Sequence, residues 1–378
     1  MPVPRRLVPG QSHFVTRRTR NRRALLLPSP EVLAVVLYCA GRAQSLCPGL
    51  SLHALTLETT HLHAGVTDAE GHSLLPVFFQ CFHGLVARAL NAHYGLGENF
   101  WRTGSYDNTE THTREDFVEQ LLYAWTQPVK DGLVDRPEDW PGVLFLPEDF
   151  GTTRRIPKPP GAFFGGRRPE GHEPTDPRAR REHRARERQR RERKRAEDAA
   201  RDRARGRNRR RRRQLARERE SRRKHSERAA RPPRDRSALP EEVVLRIGRP
   251  PGFEGWPIEE VRRYFRRLLD ARVQRLLRER KASGKSAMGL ERALAGDPRR
   301  SLGEPLPRFA RNPRIACKNR ELRKLLLRRL QAWRNAYRDA LERWRNLDRT
   351  VRFPYGSYLL PTLHGAKLAA PRPPPALA

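Results

Sequence analysis

The stretch that decides the fold is Thr59-Thr60-His61-Leu62-His63-Ala64-Gly65-Val66, which sets two histidines two residues apart inside an apolar, β-prone run. In a β-strand, residues i and i+2 share one face of the sheet, so both imidazoles project together while Leu62 points the other way. Two histidines side by side on a strand form half of a metal site, which needs one or two further ligands from elsewhere in the fold. Two unrelated surface or core histidines would give the same pattern, and the strand alone leaves both interpretations open.

A second stretch, from Thr113 to Val134, predicts an amphipathic helix. Thr113 followed by Asp116 is typical of an N-cap with its reciprocal acid, and Pro128 is expected to end the helix. Tyr123 falls nearly opposite the apolar stripe, and Gln127 follows one turn later over the same face. A tyrosine in that position is either an ordinary surface residue or a functional one. At about 100° per residue, the apolar stripe consists of Phe117, Val118, Leu121, Leu122 and Trp125.

Strands and helices are predicted to alternate around these two stretches. Residues 11–19 and 50–57 have the pattern of strands, and residues 74–94 that of a long helix. Ser29-Pro30-Glu31 is an N-cap, a first-position proline and a first-turn acid, which predicts a helix through about residue 43. The order strand, helix, strand, strand, helix, strand predicts an α+β fold, with an antiparallel sheet and helices on one face.

The two stretches together resemble the HUH (His-hydrophobic-His) single-tyrosine transposases, and most closely the REP-associated tyrosine transposases of bacteria. The resemblance lies in the order and spacing of several short blocks and covers roughly residues 1–150. The opening Pro9-Gly10 and Phe14 to Arg18 is similar to the family's first strand. The other matching blocks are His61-Leu62-His63, Phe100-Trp101, Gly104-Ser105-Tyr106, Tyr123, Gln127-Pro128-Val129, Gly132-Leu133-Val134 and Pro137-Glu138-Asp139-Trp140.

The resemblance implies a ferredoxin-like HUH palm that cleaves and rejoins DNA strands during transposition. Tyr123 would be the catalytic nucleophile and would form a covalent 5′-phosphotyrosine intermediate. His61, His63 and Gln127 would hold a divalent metal, Mg²⁺ or Mn²⁺. The implied partner is single-stranded or hairpin DNA, and the sequence leaves open whether the protein acts as a monomer or a homodimer.

Departures from the family's pattern, among them Leu122 in place of a residue that is often basic in relatives, leave other functions open. Glu58-Thr59-Thr60 stands where the family usually has Met-Pro-Asn, and Gln127 stands where it usually has Asn, although a glutamine amide oxygen also serves as a metal ligand. One alternative is a domesticated, non-catalytic Arg-rich protein that binds nucleic acid. The other is a nickase of the replication-initiator or relaxase type, which shares the same chemistry.

Composition indicates a polyanionic partner. The chain of 378 residues carries a formal net charge of +36 and a pI near 11.4, as expected of a protein that binds nucleic acid. Residues 1–150 are nearly neutral, so the excess lies in the remainder of the chain. The longest apolar run is too short for a membrane span. The four cysteines (Cys39, Cys47, Cys81 and Cys317) show no paired short spacing, and with no secretory signal they predict reduced thiols in a cytoplasmic, nucleoid-associated protein.

The first domain is predicted to comprise residues 1–150. Composition also predicts how the rest of the chain is divided. Residues 151–240 form a Pro/Gly-rich linker and an Arg-rich low-complexity segment, of which residues 178–236 are expected to be disordered or transiently helical and to neutralise phosphates. Residues 241–365 are expected to form a small, basic, all-α accessory module, whose two long apolar stripes would pack on each other. Residues 366–378 are expected to be a disordered tail. The candidates for contact with DNA are Arg17, Arg18, Arg266, Arg267, Arg328, Arg329 and Arg338.

Overall fold

The fold was analysed in a computed structural model, which describes residues 4–97, 99–104, 106–164, 239–284, 286–298 and 314–371. The described residues before position 165 form five strands and four α-helices: β1 (Ser12–Arg18), α1 (Pro30–Ser45), β2 (Ser51–Leu57), β3 (His61–Thr67), α2 (Leu75–Tyr94), β4 (Asp107–Thr111), α3 (Arg114–Trp125), α4 (Gln127–Lys130) and β5 (Thr153–Pro157). The described residues after position 238 form β6 (Glu242–Arg246), α5 (Ile258–Ala282), α6 (Leu290–Leu294), β7 (Ile315–Ala316), α7 (Arg320–Arg345), β8 (Arg352–Phe353), α8 (Leu359–His364) and β9 (Lys367–Leu368). The predicted Arg-rich segment, residues 178–236, lies outside the described residues.

The main sheet has five strands in the order β2-β3-β1-β4-β7. The first four strands are antiparallel to their neighbours, and the short β7 pairs in parallel with β4. Chain order β1-α1-β2-β3-α2-β4 with sheet order 4-1-3-2 is the ferredoxin-like arrangement. The predicted α+β class, with an antiparallel sheet flanked by helices and a helical C-terminal part, is therefore confirmed.

Helices cover both faces of this sheet, which differs from the expectation of helices on one face. A Cβ atom built on Gly65 would lie 3.0 Å from Leu121 and 3.4 Å from Phe117, both on α3, so α3 lies on the face that also carries His61 and His63. On the other face, Arg17 is paired with Leu62, and its guanidinium lies over the ring of Trp101, which contacts His83 of α2. The sequence predicts that α3 packs through its apolar stripe, but such a stripe does not identify the surface against which a helix packs.

Helix starts follow the predicted capping residues. The Ser29 hydroxyl accepts a hydrogen bond from the Val32 amide, and the Thr113 hydroxyl accepts one from the Asp116 amide at 3.1 Å. The Asp116 carboxylate does not return a bond to Thr113 but instead accepts the amide of Lys318 at 2.8 Å. The cap of α3 is thereby tied to the residues just before α7.

Two elements from the second half of the chain complete the first domain. β6 pairs with β5 in an antiparallel ladder. On α5, the buried Phe265 lies 5.7 Å from the ring of Trp125 and 5.2 Å from that of Phe150, measured between ring centroids. The structure therefore places α5 in the core formed by residues 4–164.

The two long helices predicted to pack on each other have different partners. The buried residues of α5 belong to the main core, whereas those of α7 belong to two smaller clusters, one with Ile315 and one with Val351, Phe353 and Ala366. The prediction was wrong because matching 3.6-residue periodicity does not specify a partner.

Ordered structure also extends into the predicted tail, since β9 pairs with β8. Within the described residues, no helix has the length and apolarity needed to cross a membrane.

Candidate metal and tyrosine site

The two histidines lie near one end of β3, in the middle of the sheet. His61 is paired with Arg18 of β1, and His63 is paired with Thr16 of the same strand. Both imidazoles are buried, and their ring centroids are 4.8 Å apart. The strand therefore holds the two rings together on one face, as the sequence predicted.

A threonine hydroxyl holds the Nδ1 atom of each histidine. The Oγ1 atom of Thr60 is 3.1 Å from Nδ1 of His61, and that of Thr16 is 2.9 Å from Nδ1 of His63. When each hydroxyl accepts the Nδ1 hydrogen, the lone pair stays on Nε2, which is the orientation found in histidines that bind metals. The Nε2 atom of His63 is buried without a hydrogen-bond partner.

Burial keeps both imidazoles neutral at pH 7. It lowers the pKa of His61 to about 3, with a further contribution from the positive charges of Arg18 and Arg22. It also lowers the pKa of His63 well below its usual value. Neutral imidazole is the form that binds a metal ion, so the site is prepared for one without losing a proton.

Tyr123 on α3 lies directly against His63. The centroids of the two rings are 5.6 Å apart, with an interplanar angle of 80°, and the ring of Phe14 completes the contact. The Lys130 ammonium lies 5.5 Å from the centroid of the tyrosine ring. The helix and the strand are thus positioned so that the half-buried phenol lies beside the histidine pair.

Opposing effects act on the Tyr123 hydroxyl. Burial raises its pKa, the charge of Arg18 lowers it, and the negative charges of Asp131 and Glu58 raise it further. The net direction is upward. The charge of Arg18 therefore favours the ionised form of the phenol.

Gln127, the predicted third ligand, presents an unused oxygen. Its Nε2 atom lies 3.3 Å from both carboxylate oxygens of Asp131, to which it donates, and this contact fixes the orientation of the amide. Its Oε1 atom is buried and has no hydrogen-bond partner. Sequence analysis missed Asp131, although positions 123, 127 and 131 are four residues apart, the spacing that places side chains along one side of a helix.

Glu58 is a second residue that sequence analysis left out of the site. Its amide donates to the carbonyl of His61 at 2.9 Å, so Thr59 and Thr60 form a two-residue hairpin turn between β2 and β3. The Glu58 Oε2 atom lies 3.7 Å from Nε2 of His61. Burial and the neighbouring charge of Asp131 raise the pKa of Glu58 to about 8, against the opposing charges of Arg18 and Lys130. The signal in the sequence was the short gap between two predicted antiparallel strands.

The donor atoms fit a divalent cation. Among the residues of this site, three buried acceptors lack a hydrogen-bond partner, namely Nε2 of His63, Oε1 of Gln127 and Oε1 of Glu58, and such atoms are costly to bury unless something binds them. Within the described residues, no group of three or more His, Cys, Asp or Glu side chains is arranged to hold a metal ion. An amide oxygen as third ligand is consistent with that result, because it lies outside those residue types.

The arginines proposed to contact DNA have different surroundings. Arg17 donates to the Gly104 carbonyl at 2.9 Å and lies over the ring of Trp101. Arg18 lies in the site beside His61. Arg266 is paired with Glu138 and Glu148, so it fastens α5 to the first domain. Arg267 on α5 and the three candidates on α7, Arg328, Arg329 and Arg338, are exposed.

Comparison with known proteins finds similarity to two solved transposase structures. A REP-associated tyrosine transposase bound to a REP hairpin is 22% identical, with a TM-score of 0.32 over 36% of this chain and 78% of that chain. A candidate transposase from Deinococcus radiodurans is 22% identical, with a TM-score of 0.22 over 29% of this chain and 84% of that one. No protein-family model matches the chain, and no curated protein matches it.

Proposed function

We propose that this protein is a metal-dependent endonuclease and strand transferase for single-stranded DNA, acting in DNA transposition with Tyr123 as its nucleophile. The observation that carries the proposal is the contact between Tyr123 and His63, whose ring centroids are 5.6 Å apart. A tyrosine beside two neutral imidazoles and a free amide oxygen has the components needed for phosphodiester cleavage. The resemblance of the same residues to the HUH transposases supports this assignment.

His61 and His63, through their Nε2 atoms, and Gln127, through Oε1, would hold the ion. When bound there, Mg²⁺ or Mn²⁺ would polarise a non-bridging oxygen of the scissile phosphate. Thr16 and Thr60 orient the imidazoles. Asp131 orients the amide of Gln127, since it accepts both contacts from Nε2.

The chemical step is an in-line displacement at phosphorus. The Tyr123 oxygen bonds to phosphorus while the bond from phosphorus to the 3′ oxygen breaks, and the proton lost by the phenol is balanced by one taken up from water by the departing oxygen, so the upstream fragment ends in a 3′ hydroxyl. The tyrosine then holds the 5′ phosphate of the downstream fragment of the same strand. A second 3′ hydroxyl can reverse the step, because the new link preserves the energy of the phosphodiester.

Arg18 contributes positive charge at the nucleophile. It is paired with His61 in the sheet and opposes the effect of burial on the pKa of Tyr123. The same guanidinium is suited to a phosphate oxygen, because it offers planar, charged donors. We therefore assign Arg18 the role of positioning the phosphate next to the phenol.

The test is a labelled cleavage assay with Mg²⁺ or Mn²⁺, using single-stranded oligonucleotides that cover the DNA flanking the gene. A 5′-phosphotyrosine link retains the 3′ part of the oligonucleotide, so a 3′ label should migrate with the protein on a denaturing gel. A 5′ label should appear in a shorter, free fragment. We expect Tyr123→Phe and His61→Ala to abolish the labelled protein band.

Tyr264→Phe is the matched control, since this tyrosine lies on α5 among Phe253, Phe265 and Trp256. It should form the adduct as the unaltered protein does. An unaltered protein that only retards the oligonucleotides on a native gel, with no covalent band, would be a nucleic-acid binder rather than a nuclease. An adduct that persists in Tyr123→Phe would assign the nucleophile to another residue.

A further inference from the structure

We infer that a cleft between α3, α7 and the segment that follows α7 binds a short stretch of single-stranded DNA, away from the phosphate that Tyr123 would attack. The cleft has a volume of about 1130 Å³, slightly above the range of about 300 to 1000 Å³ that is typical of sites for one small molecule. The inference rests on the proposed function only for the choice of DNA as the ligand. Its test follows DNA binding without metal and without strand cleavage.

Backbone hydrogen bonds hold the walls of the cleft in place. It is lined by Ser12 at the start of β1, by Phe117 of α3, and by residues of α7 and of the segment after it. That segment is fixed by a hydrogen bond of 2.9 Å from the amide of Leu7 to the carbonyl of Gly356. The chain just before α7 is fixed by the pairing of β7 with β4. The cleft is therefore formed before a ligand binds.

The cleft lies on the same face of the sheet as the histidine pair. Ser12 and Thr16 are four residues apart on β1, so their side chains point to the same face, and Thr16 contacts His63. Phe117 and Tyr123 are six residues apart on α3, which corresponds to about 9 Å along the helix axis. A DNA strand bound at Tyr123 can therefore continue into the cleft within a few nucleotides.

Two arginines on the walls have donors available for phosphate. Arg329 of α7 is exposed, and the described part of the chain gives it no hydrogen-bond or ion-pair partner. Arg114 of α3 contacts Glu115 through Nε, at 3.2 Å. A Cβ atom built on Gly252 would lie 2.9 Å from Cγ of Arg114, so the stem of this arginine packs closely against the residue 252 loop. Guanidinium groups bind phosphate oxygens through planar, charged donors.

The charge of the cleft favours a polyanion. Of the charged residues that the structure places on its walls, three are arginines and one, Glu70, is an acid. Arg6 is paired with Glu110, which leaves Arg114 and Arg329 to neutralise phosphates. Exposed pairs such as that of Arg114 with a neighbouring carboxylate are weak and exchange readily.

Aromatic side chains on the walls favour a single strand over a duplex. Phe117, Trp333 and Tyr355 line the cleft, and Tyr355 is the most exposed of the three. The Nε1 atom of Trp333 donates to the carbonyl of Tyr355 at 2.7 Å, which holds the two residues together. Stacking of bases on aromatic rings, combined with basic contacts to the backbone, is how proteins bind single strands without sequence preference. A duplex keeps its base faces stacked inside and cannot use these rings.

The experiment cross-links the full chain, without divalent metal, to a short oligothymidylate that contains iododeoxyuridine. Illumination links this base to aromatic side chains in contact with it, and mass spectrometry identifies the linked residues. We expect links to Tyr355 or Trp333 in the unaltered protein. Tyr123→Phe should give the same links, because the cleft does not include the nucleophile.

Ala336→Phe should block the cleft, because Ala336 is an exposed residue of α7 that lines it. We expect the links to Tyr355 to disappear. Fluorescence anisotropy at high salt, which suppresses the contribution of the Arg-rich segment, should show at least about fivefold weaker binding of the oligothymidylate. Gln331→Phe is the matched control, since Gln331 is exposed on the same helix and is not among the described residues that line the cleft. It should change neither result.

Arg329→Gln tests the phosphate contact. It should reduce the slope of log affinity against log salt by about 0.7, the value for one phosphate of a single strand. Arg320→Gln is the control, because Arg320 is exposed at the start of α7 and is not among the described residues on the walls. It should leave the slope unchanged.

Equal affinity of Ala336→Phe and Gln331→Phe, or links confined to residues outside the cleft, would overturn the inference and leave the proposed function intact. A duplex that prevents the links as effectively as an unlabelled single strand would overturn it as well. Links in the cleft of a protein that forms no covalent adduct in the cleavage assay would support the inference and contradict the proposed function.

Discussion

At the scale of single residues, Gly65 sets how closely the tyrosine helix lies on the sheet. A Cβ at this position would be 3.0 Å from Leu121 and 3.4 Å from Phe117. Because Gly65 has no side chain, α3 can pack closely against β3. The same closeness brings Tyr123 against His63, two residues before Gly65 on the strand.

Gly65→Ala should destabilise the protein and displace the phenol. Overpacking of this kind costs about 1 to 3 kcal/mol, which urea unfolding would measure, and we expect the yield of the covalent adduct to fall as well. The matched control is Gly84→Ala on α2, where a Cβ would meet nothing within 4 Å. This control should be neutral or stabilising by up to about 1 kcal/mol. Equal stability of the two variants would show that the packing of α3 against β3 does not depend on the absence of a side chain at Gly65.

The site was only partly predictable at this scale. His61, His63, Tyr123 and Gln127 carry local signals, a two-residue spacing on a strand and a four-residue spacing on a helix, and the rings of the two histidines and of Tyr123 lie within 5.6 Å of a neighbour in this group. The position of Glu58 depends on the geometry of the hairpin turn. Which atoms lack partners depends on tertiary packing, which no local pattern reports.

At the scale of secondary-structure elements, α5 is part of the first domain rather than of a separate module. Phe265 is fully buried between Trp125 of α3 and Phe150. Arg272 of α5 also pairs with Glu119 of α3 at 2.7 Å. The helix therefore packs against α3, and thereby supports Tyr123 indirectly.

Phe265→Ala should reduce the stability of the whole domain, because it leaves a cavity beside α3. Removing a buried phenylalanine costs about 3 to 5 kcal/mol, and a single shifted transition is expected in chemical unfolding. Leu327→Ala on α7 is the control, since Leu327 is 42% exposed and should change stability little. Two separate transitions, with only one of them shifted by Phe265→Ala, would contradict the assignment of α5 to the first domain.

Local patterns predicted β1, α1, β2, β3, α2 and α3 because each has a clear hydrophobic period, and α1 and α3 also have recognisable capping residues. The residues of β4, Asp-Asn-Thr-Glu-Thr, have no such period. The pairing of β5 with β6 had no such signal, since Ile156 and its partner Val243 are far apart in the sequence. β7 is two residues long, too short for any periodicity. Contacts across long sequence separations account for most of what sequence analysis missed.

At the scale of the whole molecule, the excess positive charge and the candidate metal and tyrosine site lie in different parts of the sequence. The net charge of +36 arises almost entirely after residue 150, whereas the site lies in the nearly neutral part. Basic segments bind the phosphate backbone through release of counterions, which is insensitive to sequence. We therefore expect the Arg-rich segment to supply affinity and the site to supply chemistry.

Removal of residues 178–236 should reduce the salt dependence of binding to single-stranded DNA. The slope of log affinity against log salt changes by about 0.7 for each phosphate that the protein no longer neutralises, and fluorescence anisotropy at several salt concentrations would measure it. The control replaces the segment with a Gly/Ser sequence of equal length, which should flatten the slope equally. An unchanged slope would mean that the segment does not touch DNA.

The ladder between β5 and β6 has a consequence for this basic segment. Lys158 donates its amide to the carbonyl of Glu241 at 2.7 Å. Beyond this pair, Phe164 and Pro240 both contact Tyr38 of α1, so the fold holds the two ends of the sequence that contains residues 178–236 close together. Joining two fixed points by a longer chain costs only about 0.6 kcal/mol of closure entropy for each doubling of length. We therefore expect a change in the length of that sequence to cost little stability and to preserve the arrangement of Tyr123 and the two histidines.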